Sequence, residues 1–226
     1  MHSPLPARAQ SWPFTVRPAR DDRELSRVAA FRAAAYGRHI PAFAASLRSI
    51  EAADRARASV VILAEDKVDR RIVGSVRLHL GRDRPLPLEA SLVLPDWLTD
   101  DGPLLEPTRL AVEASEQGAL ARNALFKACF RYGQAAGASW LVATARRPLD
   151  RLYEGLLFRD VFDDGLARPM RHIGDLPHRV LALPLHGVQA LYRAQRHPLS
   201  GYMTDIDHPD LVVDASRLRE PARVVT

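Results

Sequence analysis

The stretch LLEPTRLAVE, from Leu104 to Glu113, decides how this chain folds and raises the first question about it. Its apolar residues predict a buried strand, yet Glu106 and Arg109 place opposite charges only three positions apart. Burying either charge without a partner is costly. Residues three apart on an extended strand point to opposite faces. We therefore expect Glu106 to face a cleft and Arg109 to brace another element, unless a bulge intervenes.

The sequence on both sides of this strand predicts a mixed α/β fold. Upstream, ASVVILAED and RRIVGSVRLHLG are rich in Val and Ile and are joined through DKVDR, a pattern typical of an antiparallel hairpin. Downstream, SEQGALARNALFKACFRYGQAAGA predicts an amphipathic helix. One face of that helix carries Leu125, Ala128, Cys129, Tyr132 and Ala136. The element order indicates a mixed, mostly antiparallel sheet with helices on both faces.

Length and composition indicate one main domain. The chain has 226 residues, 47% of them hydrophobic, which is enough for a sizeable core. We expect a flexible arm over residues 1–13, a single α/β domain over 14–186, and a helix with a tail over 187–226. The longest apolar runs are too short to span a bilayer, and the chain has a single cysteine. We therefore expect a cytoplasmic protein with no membrane span.

The distribution of charge argues against nucleic acid as a partner. The net charge is +5, but only Lys67 and Lys127 among the 32 basic residues are lysines, and the arginines are spread along the whole chain. No dense basic run is present. A mildly positive surface suits an anionic partner, such as a phosphorylated cofactor or an acidic carrier protein. The spacing of His172, His178 and His186 does not fit a metal site, so we expect no metal.

One junction in this order is suited to an anion. Where a strand runs into a helix, unpaired backbone N–H groups and the helix dipole favour negative charge. The segment LAVEASEQGALAR supplies such a junction directly after the strand that carries Glu106.

Three motifs give the chain a family resemblance over roughly residues 14–185. They are EPTRLAV in the central strand, the helix after EQG, and RLYEGLLF, with a further match in FRAAAYGRH. In these motifs the chain resembles the GCN5-related N-acetyltransferase (GNAT) superfamily. It is most similar to the branch that contains N-acyl amino acid synthases and acyl-homoserine-lactone synthases. The resemblance implies a GNAT-like fold and transfer of an acyl group from a thioester to a primary amine.

The resemblance also implies roles for individual residues. Glu106 would accept the proton of the amine, and Tyr153 would protonate the departing thiolate. The amine substrate would contact Arg32, Tyr36, Thr108 and Arg109. The thioester carbonyl would meet the backbone of Ala111, Val112 and Glu113. The pyrophosphate would lie on Gln117, Gly118, Ala119, Leu120, Ala121 and Arg122.

On the same basis, acyl-coenzyme A or an acyl carrier protein would deliver the acyl group as co-substrate, with no permanently bound cofactor. The acetyl-coenzyme-A signature is not intact, because Ser115 stands where it has Gln or Arg and Leu120 where it has Gly or Ala. This favours an N-acyl amino acid synthase that uses longer acyl groups. An ordinary acetyltransferase, an acyl-homoserine-lactone synthase and a non-catalytic sensor of acyl thioesters remain alternatives.

Plainer roles for the same residues also remain open. Glu106 could pair with Arg109, Tyr153 could be an ordinary interior tyrosine, and the first helical turn after Ser115 could be solvated.

Overall fold

The computed structural model describes residues 10–82 and 84–216 of the chain. The strands are β1 (Phe14–Pro18), β2 (Ser59–Asp66), β3 (Ile72–Gly81), β4 (Leu104–Val112), β5 (Trp140–Ala145), β6 (Arg159–Asp160), β7 (Arg168–Met170) and β8 (Leu176–Pro184). The helices are α1 (Asp22–Gly37), α2 (Pro41–Ser46), α3 (Asp96–Thr99), α4 (Glu116–Ala136), α5 (Leu149–Gly155) and α6 (Val188–Ala194). Short 3-10 turns occupy Ala52–Asp54, Pro87–Ala90 and Arg171–Ile173.

The strands form one sheet in the order β1-β2-β3-β4-β5-β8-β6, with β7 paired to the start of β8. Among the eight strands of the described residues, only β4 and β5 pair in parallel. An isolated parallel bridge also joins Val16 of β1 to Leu211. Helix α4 packs with the main core on one face of the sheet, and α1 packs on the other. The prediction of a mixed, mostly antiparallel sheet with helices on both faces is confirmed.

Helix α4 forms where the periodicity predicted it. The Ser115 hydroxyl caps its start by accepting the N–H of Gly118 at 3.1 Å, and Gly137 ends it in the left-handed conformation with φ +72°. Leu125, Cys129 and Tyr132 are buried against the sheet. The helix therefore fixes the end of β4 relative to the core.

The segment after α1 is not one continuous helix. Helix α2 ends at Ser46, and Leu47 turns into the interior. The chain then reaches a 3-10 turn at Ala52–Asp54. This interruption brings Glu51 and Asp54 over the sheet, where they meet arginines of α1, β3 and β4.

The two parallel strands separate soon after they meet. Cα pairing between β4 and β5 is limited to Leu104 with Trp140 and Leu105 with Leu141. Strand β5 stays paired with β8 along its length, while β4 continues along β3. The diverging ends of β4 and β5 therefore leave a cleft in the middle of the sheet.

The expected flexible arm is only partly within the described residues, since residues 1–9 lie outside them. Residues 10–13 are not an arm. Trp12 is buried, stacks on His208 at 4.2 Å between ring centroids, and donates its backbone N–H to Asp210 at 2.7 Å. The stretch from 188 to 216 also joins the core through Tyr192 and Met203. No helix within the described ranges is both long and apolar enough to cross a membrane.

Candidate active site

The diverging ends of β4 and β5 enclose a cavity, here called the β4–β5 cleft. It has a volume of about 360 Å³. Its walls come from the end of α1, from Pro107 to Val112 on β4, and from Thr144 to Leu149. Tyr153, His172 and His178 also line it. Among the described residues, four arginines and three histidines line the cleft, and no carboxylate does.

A bulge in β4 sets the geometry of this cleft. Thr108 pairs with Arg77 and Ala111 with Ser75, so β4 has one residue more than β3 between these pairs. Arg109 lies in the bulge with a φ of +55°. This conformation is uncommon for any residue with a side chain. The bulge changes the direction in which Arg109 points.

The expectation that Arg109 and Glu106 serve opposite faces is therefore wrong. Thr108 lies two residues after Glu106 and so shares its face of the strand. Arg77 donates hydrogen bonds to the Thr108 hydroxyl and to the Glu51 carboxylate. Arg109 binds the same Glu51 carboxylate through its Nε at 2.9 Å and its Nη2 at 2.7 Å. Glu106, Thr108 and Arg109 thus occupy one face. The two charges of the opening motif are still not an ion pair, because each has a different partner.

A buried charge network lies beneath the cleft. Arg32 donates to Asp54 at 2.7 Å, and Arg77 donates to both Asp54 and Glu51 at 3.0 Å. Burial alone would raise the pKa of Glu51, but the hydrogen bond from Arg109 and the charge of Arg77 lower it. Three guanidinium groups thus face two ionised carboxylates. The network carries an excess positive charge that favours an anion nearby.

Three of the four residues predicted to contact the substrate line the cleft, and one does not. Tyr36, Thr108 and Arg109 line the cleft. Arg32 does not line it and is 1% exposed, with its Nε and Nη2 unpartnered. The prediction that Arg32 contacts substrate is wrong, because helix α1 turns this side chain inward onto Asp54.

Glu106 is fully buried and does not line the cleft. Its Oε2 accepts the backbone N–H of Leu88 at 3.1 Å, and its Oε1 has no hydrogen-bond partner. Burial raises the pKa of the Glu106 carboxyl to about 8. This is the direction that suits a proton acceptor at neutral to alkaline pH.

His172 lines the cleft and lies beside Glu106, and nothing in the sequence led us to expect it there. Its Nε2 is 3.6 Å from Glu106 Oε1 and 3.5 Å from the Thr144 hydroxyl. Burial lowers the pKa of His172 to about 4, so the ring is neutral at pH 7. The residue sits in an irregular turn between β7 and β8, where no periodicity or motif marks it.

Tyr153 lies on the wall of the cleft and belongs to the main core. The side chain lines the cleft and packs edge-on against Phe126 and Phe158, with ring centroids 5.4 and 4.9 Å away. Burial raises the pKa of the Tyr153 phenol. The neutral phenol is therefore strongly favoured and can serve as a donor.

The predicted pyrophosphate cradle at the start of α4 differs most from expectation. Of the nine predicted donor-binding residues, only Ala111 and Val112 line the cleft; Glu113, Gln117, Gly118, Ala119, Leu120, Ala121 and Arg122 do not. The Glu113 carboxylate pairs with Arg71, and the Gln117 side chain bonds Asp66 and Arg71. Ala121 is buried in the core. Asp66 of β2 and Arg71 before β3 thus occupy the side chains of Gln117 and Glu113.

Exposed cations stand at the mouth of the cleft instead. Arg38, at the end of α1, reaches across the mouth and donates a hydrogen bond to the backbone oxygen of Val112 at 3.1 Å. Arg146 and Arg147 stand opposite, at the end of β5, and are exposed. His39 completes this rim. No cluster of three metal-binding side chains occurs in residues 10–82 and 84–216.

Comparisons with known proteins agree with this architecture. The model of the N-acyl amino acid synthase FeeM family matches residues 27–180. The structure of FeeM, from uncultured soil microbes, superposes with a TM-score of 0.63 at 14% identity, covering 84% of this chain and 97% of that one. No curated protein matches the sequence.

Two further structures share the fold. A GNAT-family protein from Desulfovibrio desulfuricans has a TM-score of 0.54 at 13% identity, over 76% of this chain and 99% of that one. BjaI, a coenzyme-A-dependent acyl-homoserine lactone synthase, has a TM-score of 0.54 at 16% identity, covering 89% of this chain and 96% of that one. The resemblance to the GNAT superfamily is confirmed. Because the family match extends over more than half of the sequence, the chain belongs to the FeeM family of N-acyl amino acid synthases.

Proposed function

We propose that this N-acyltransferase moves an acyl group from a phosphopantetheine thioester to the α-amino group of an amino acid by direct attack. One observation carries the proposal. A cleft opened between two parallel strands is lined by cations and by no carboxylate of the described residues, and a buried Glu106 with a raised pKa lies behind its wall. Such a cleft favours anionic substrates and keeps a proton acceptor close to them.

The donor lies along the free edge of β4. The Glu113 N–H is bonded to the Val73 oxygen of β3 at 3.0 Å. Backbone groups alternate along a strand, so the N–H of Val112 is directed to the other edge, where β5 has diverged. This N–H is placed to polarise a thioester carbonyl, which is a role of preorganised backbone donors.

The rim of the cleft binds the phosphates of the donor. Arg38, Arg146 and Arg147 are exposed around the opening. Guanidinium groups bind phosphate oxygens through charge-assisted hydrogen bonds. Coenzyme A and an acyl carrier protein present the same phosphopantetheine thioester, and this rim suits either source.

Arg109 binds the carboxylate of the acceptor. Its Nε and Nη2 are held by Glu51, while its Nη1 has no partner among the described residues and the side chain lines the cleft. The excess positive charge of the network beneath it is then balanced by the substrate carboxylate. Tyr36, on the same wall, adds a hydroxyl.

Direct attack is preferred to an acyl-cysteine intermediate. Cys129 is buried in α4 and packs in the main core, and burial raises the pKa of its thiol to about 12. A thiol in that state is a poor nucleophile. Tyr153 protonates the departing thiolate from its place on the cleft wall.

The test is release of free thiol together with the mass of the product. Purified protein is incubated with acyl-coenzyme A of two to sixteen carbons and with a panel of amino acids; acyl carrier protein replaces coenzyme A in parallel. We expect thiol release that depends on the amino acid and a product with the mass of the N-acyl amino acid.

Each alternative has its own outcome in the same experiment. Turnover confined to acetyl-coenzyme A would indicate an ordinary acetyltransferase. Turnover only with S-adenosylmethionine as the acceptor would indicate a homoserine-lactone synthase. Tight thioester binding with no thiol release would indicate a sensor and contradict the proposal.

A further inference from the structure

Glu106 and His172 each have a buried polar atom without a hydrogen-bond partner beside the cleft. Glu106 Oε1 and His172 Nδ1 are both buried, and neither has a hydrogen-bond partner in the described structure. Buried polar atoms in native proteins are almost always bonded. The two residues are neighbours, with His172 Nε2 3.6 Å from Glu106 Oε1, and form a Glu–His couple that lacks hydrogen-bond partners on both sides.

Access to the cleft distinguishes the two residues. His172 lines the cleft, whereas Glu106 is 0% exposed and does not line it. A substrate in the cleft can touch the imidazole but not the carboxyl. Any proton that Glu106 takes from the amine must therefore pass through an intermediate group, and His172 is the polar side chain that separates them.

We propose that His172 is the catalytic base of the acyl transfer and that Glu106 acts through it as a positioning residue. This inference rests on the proposed function. Nε2 of His172 faces Glu106 Oε1 and the hydroxyl of Thr144, a residue that lines the cleft, whereas Nδ1 is buried. Nε2 is therefore the nitrogen that accepts the proton of the substrate. Catalytic hydrogen bonds of this kind are often long before substrate binds.

The lone pair of the neutral amine forms the new C–N bond with the thioester carbonyl carbon, and the C–S bond breaks with its electron pair on sulfur. The amine proton moves to Nε2 of His172, and the ionised Glu106 beside it balances the charge of the imidazolium. Tyr153 supplies the proton that turns the thiolate into a thiol, and the proton gained by His172 restores the phenol through solvent. An amide and a thiol result.

Several charged groups act on this couple. Arg109 and Arg77, together with His178, oppose a second proton on His172, whereas Glu51 favours it. Burial raises the pKa of Glu106 and so favours its protonated form, and the negative charge of Glu89 acts in the same direction. The positive charges of Arg77 and Arg109 lower this pKa. The active form, with neutral His172 and ionised Glu106, accumulates as pH rises toward about 8.

The experiment compares His172→Gln, Glu106→Gln and the double variant in the thiol-release assay. The exposed His186→Gln is the matched control. We expect each single variant to lose about 10²-fold or more in kcat, with the affinity for acyl-coenzyme A unchanged by calorimetry. The double variant should be about as slow as the slower single variant, because the two residues act as one unit. Retained affinity shows that each variant is folded.

Two readouts separate catalysis from a structural role. The limb of the pH–rate profile near pH 8 should disappear in Glu106→Gln, while the titration of the amine itself remains. Added imidazole should restore at least part of the activity of His172→Ala. If His172→Gln turns over at close to the wild-type rate while Glu106→Gln does not, the relay is wrong and the proposed function stands. Wild-type protein that releases no thiol would overturn both.

Discussion

The guanidinium of Arg109 and the carboxylate of Glu51 form a two-point contact, with Nη2 2.7 Å from Oε1 and Nε 2.9 Å from Oε2. The contact joins the bulge of β4 to the segment after α2. Because Glu51 also accepts from Arg77 at 3.0 Å, it holds two arginines in fixed positions. The bulge, and the residue proposed to bind the acceptor, are therefore set by a carboxylate 58 positions away in the sequence.

Arg109→Lys should weaken acceptor binding. A lysine keeps the charge but cannot hold Glu51 through two parallel bonds while contacting substrate. Loss of one charge-assisted hydrogen bond predicts a rise of roughly tenfold or more in the KM for the amino acid. The KM for acyl-coenzyme A should stay the same. Steady-state kinetics checks both values, and Arg71→Lys, outside the cleft lining, is the control. Equal effects of the two variants would contradict the assignment.

Arg32→Met should destabilise the fold. Arg32 is 1% exposed, and its removal leaves Asp54 buried with Arg77 as its remaining guanidinium partner. Breaking a buried pair from one side typically costs about 3 kcal/mol or more in the free energy of unfolding. Denaturant titration measures this. Arg55→Met, which removes the exposed pair with Asp22, should shift the unfolding midpoint far less. Similar shifts in both variants would show that the buried network stabilises the fold no more than an exposed ion pair does.

Glu106→Gln should change how stability depends on pH. The folded-state pKa of about 8 lies above the value of 4.5 expected for an exposed glutamate, so the folded protein holds a proton that the unfolded chain has released. Wild-type stability therefore falls as pH rises from about 4.5 to about 8. The variant lacks this loss. Thermal unfolding at pH 5 and pH 8.5 should show the variant gaining relative stability at the higher pH. A difference that is independent of pH would mean that Glu106 is not held in a low-dielectric site.

Tyr153→Phe should slow the chemical step. The substitution removes only the hydroxyl, so the packing on Phe126 and Phe158 persists. Loss of a general acid predicts a decrease of about 10²-fold in kcat with little change in either KM. Assays of thiol release over time check this. Tyr132→Phe on α4 is the control, because the Tyr132 hydroxyl donates to the backbone oxygen of Val212 away from the cleft. An unchanged kcat would show that the Tyr153 hydroxyl does not act as the general acid and that the residue is structural.

Local patterns were sufficient to predict the elements that dominate the fold. The β2–β3 hairpin and helix α4 follow from Val and Ile content and from helical spacing in continuous segments. The divergence of β4 from β5 carries no such signal, because it depends on β8 holding β5 and β3 holding β4. The bulge at Arg109 was equally hidden, since its cause is the long-range partner Glu51.

The site was predicted where one strand carries it and missed where separate segments meet. Glu106, Thr108 and Arg109 are on β4, and all three were identified. His172 comes to Glu106 only because the β7–β8 turn folds over the cleft, and a single histidine in an irregular segment has no pattern. The start of α4 was expected to hold phosphates, but Arg71 and Asp66 occupy its polar groups, a contact that the local sequence does not reveal.

The central claim is that the β4–β5 cleft holds the thioester with the amine beside His172. A crystal structure with coenzyme A and the preferred amino acid tests it most directly. We expect the pantetheine arm between Pro107–Val112 and Thr144–Arg147, the sulfur beside Tyr153, and the amino nitrogen within hydrogen-bond distance of the His172 ring. Pantetheine bound on any other surface, with the cleft closed or filled by side chains, would contradict the account.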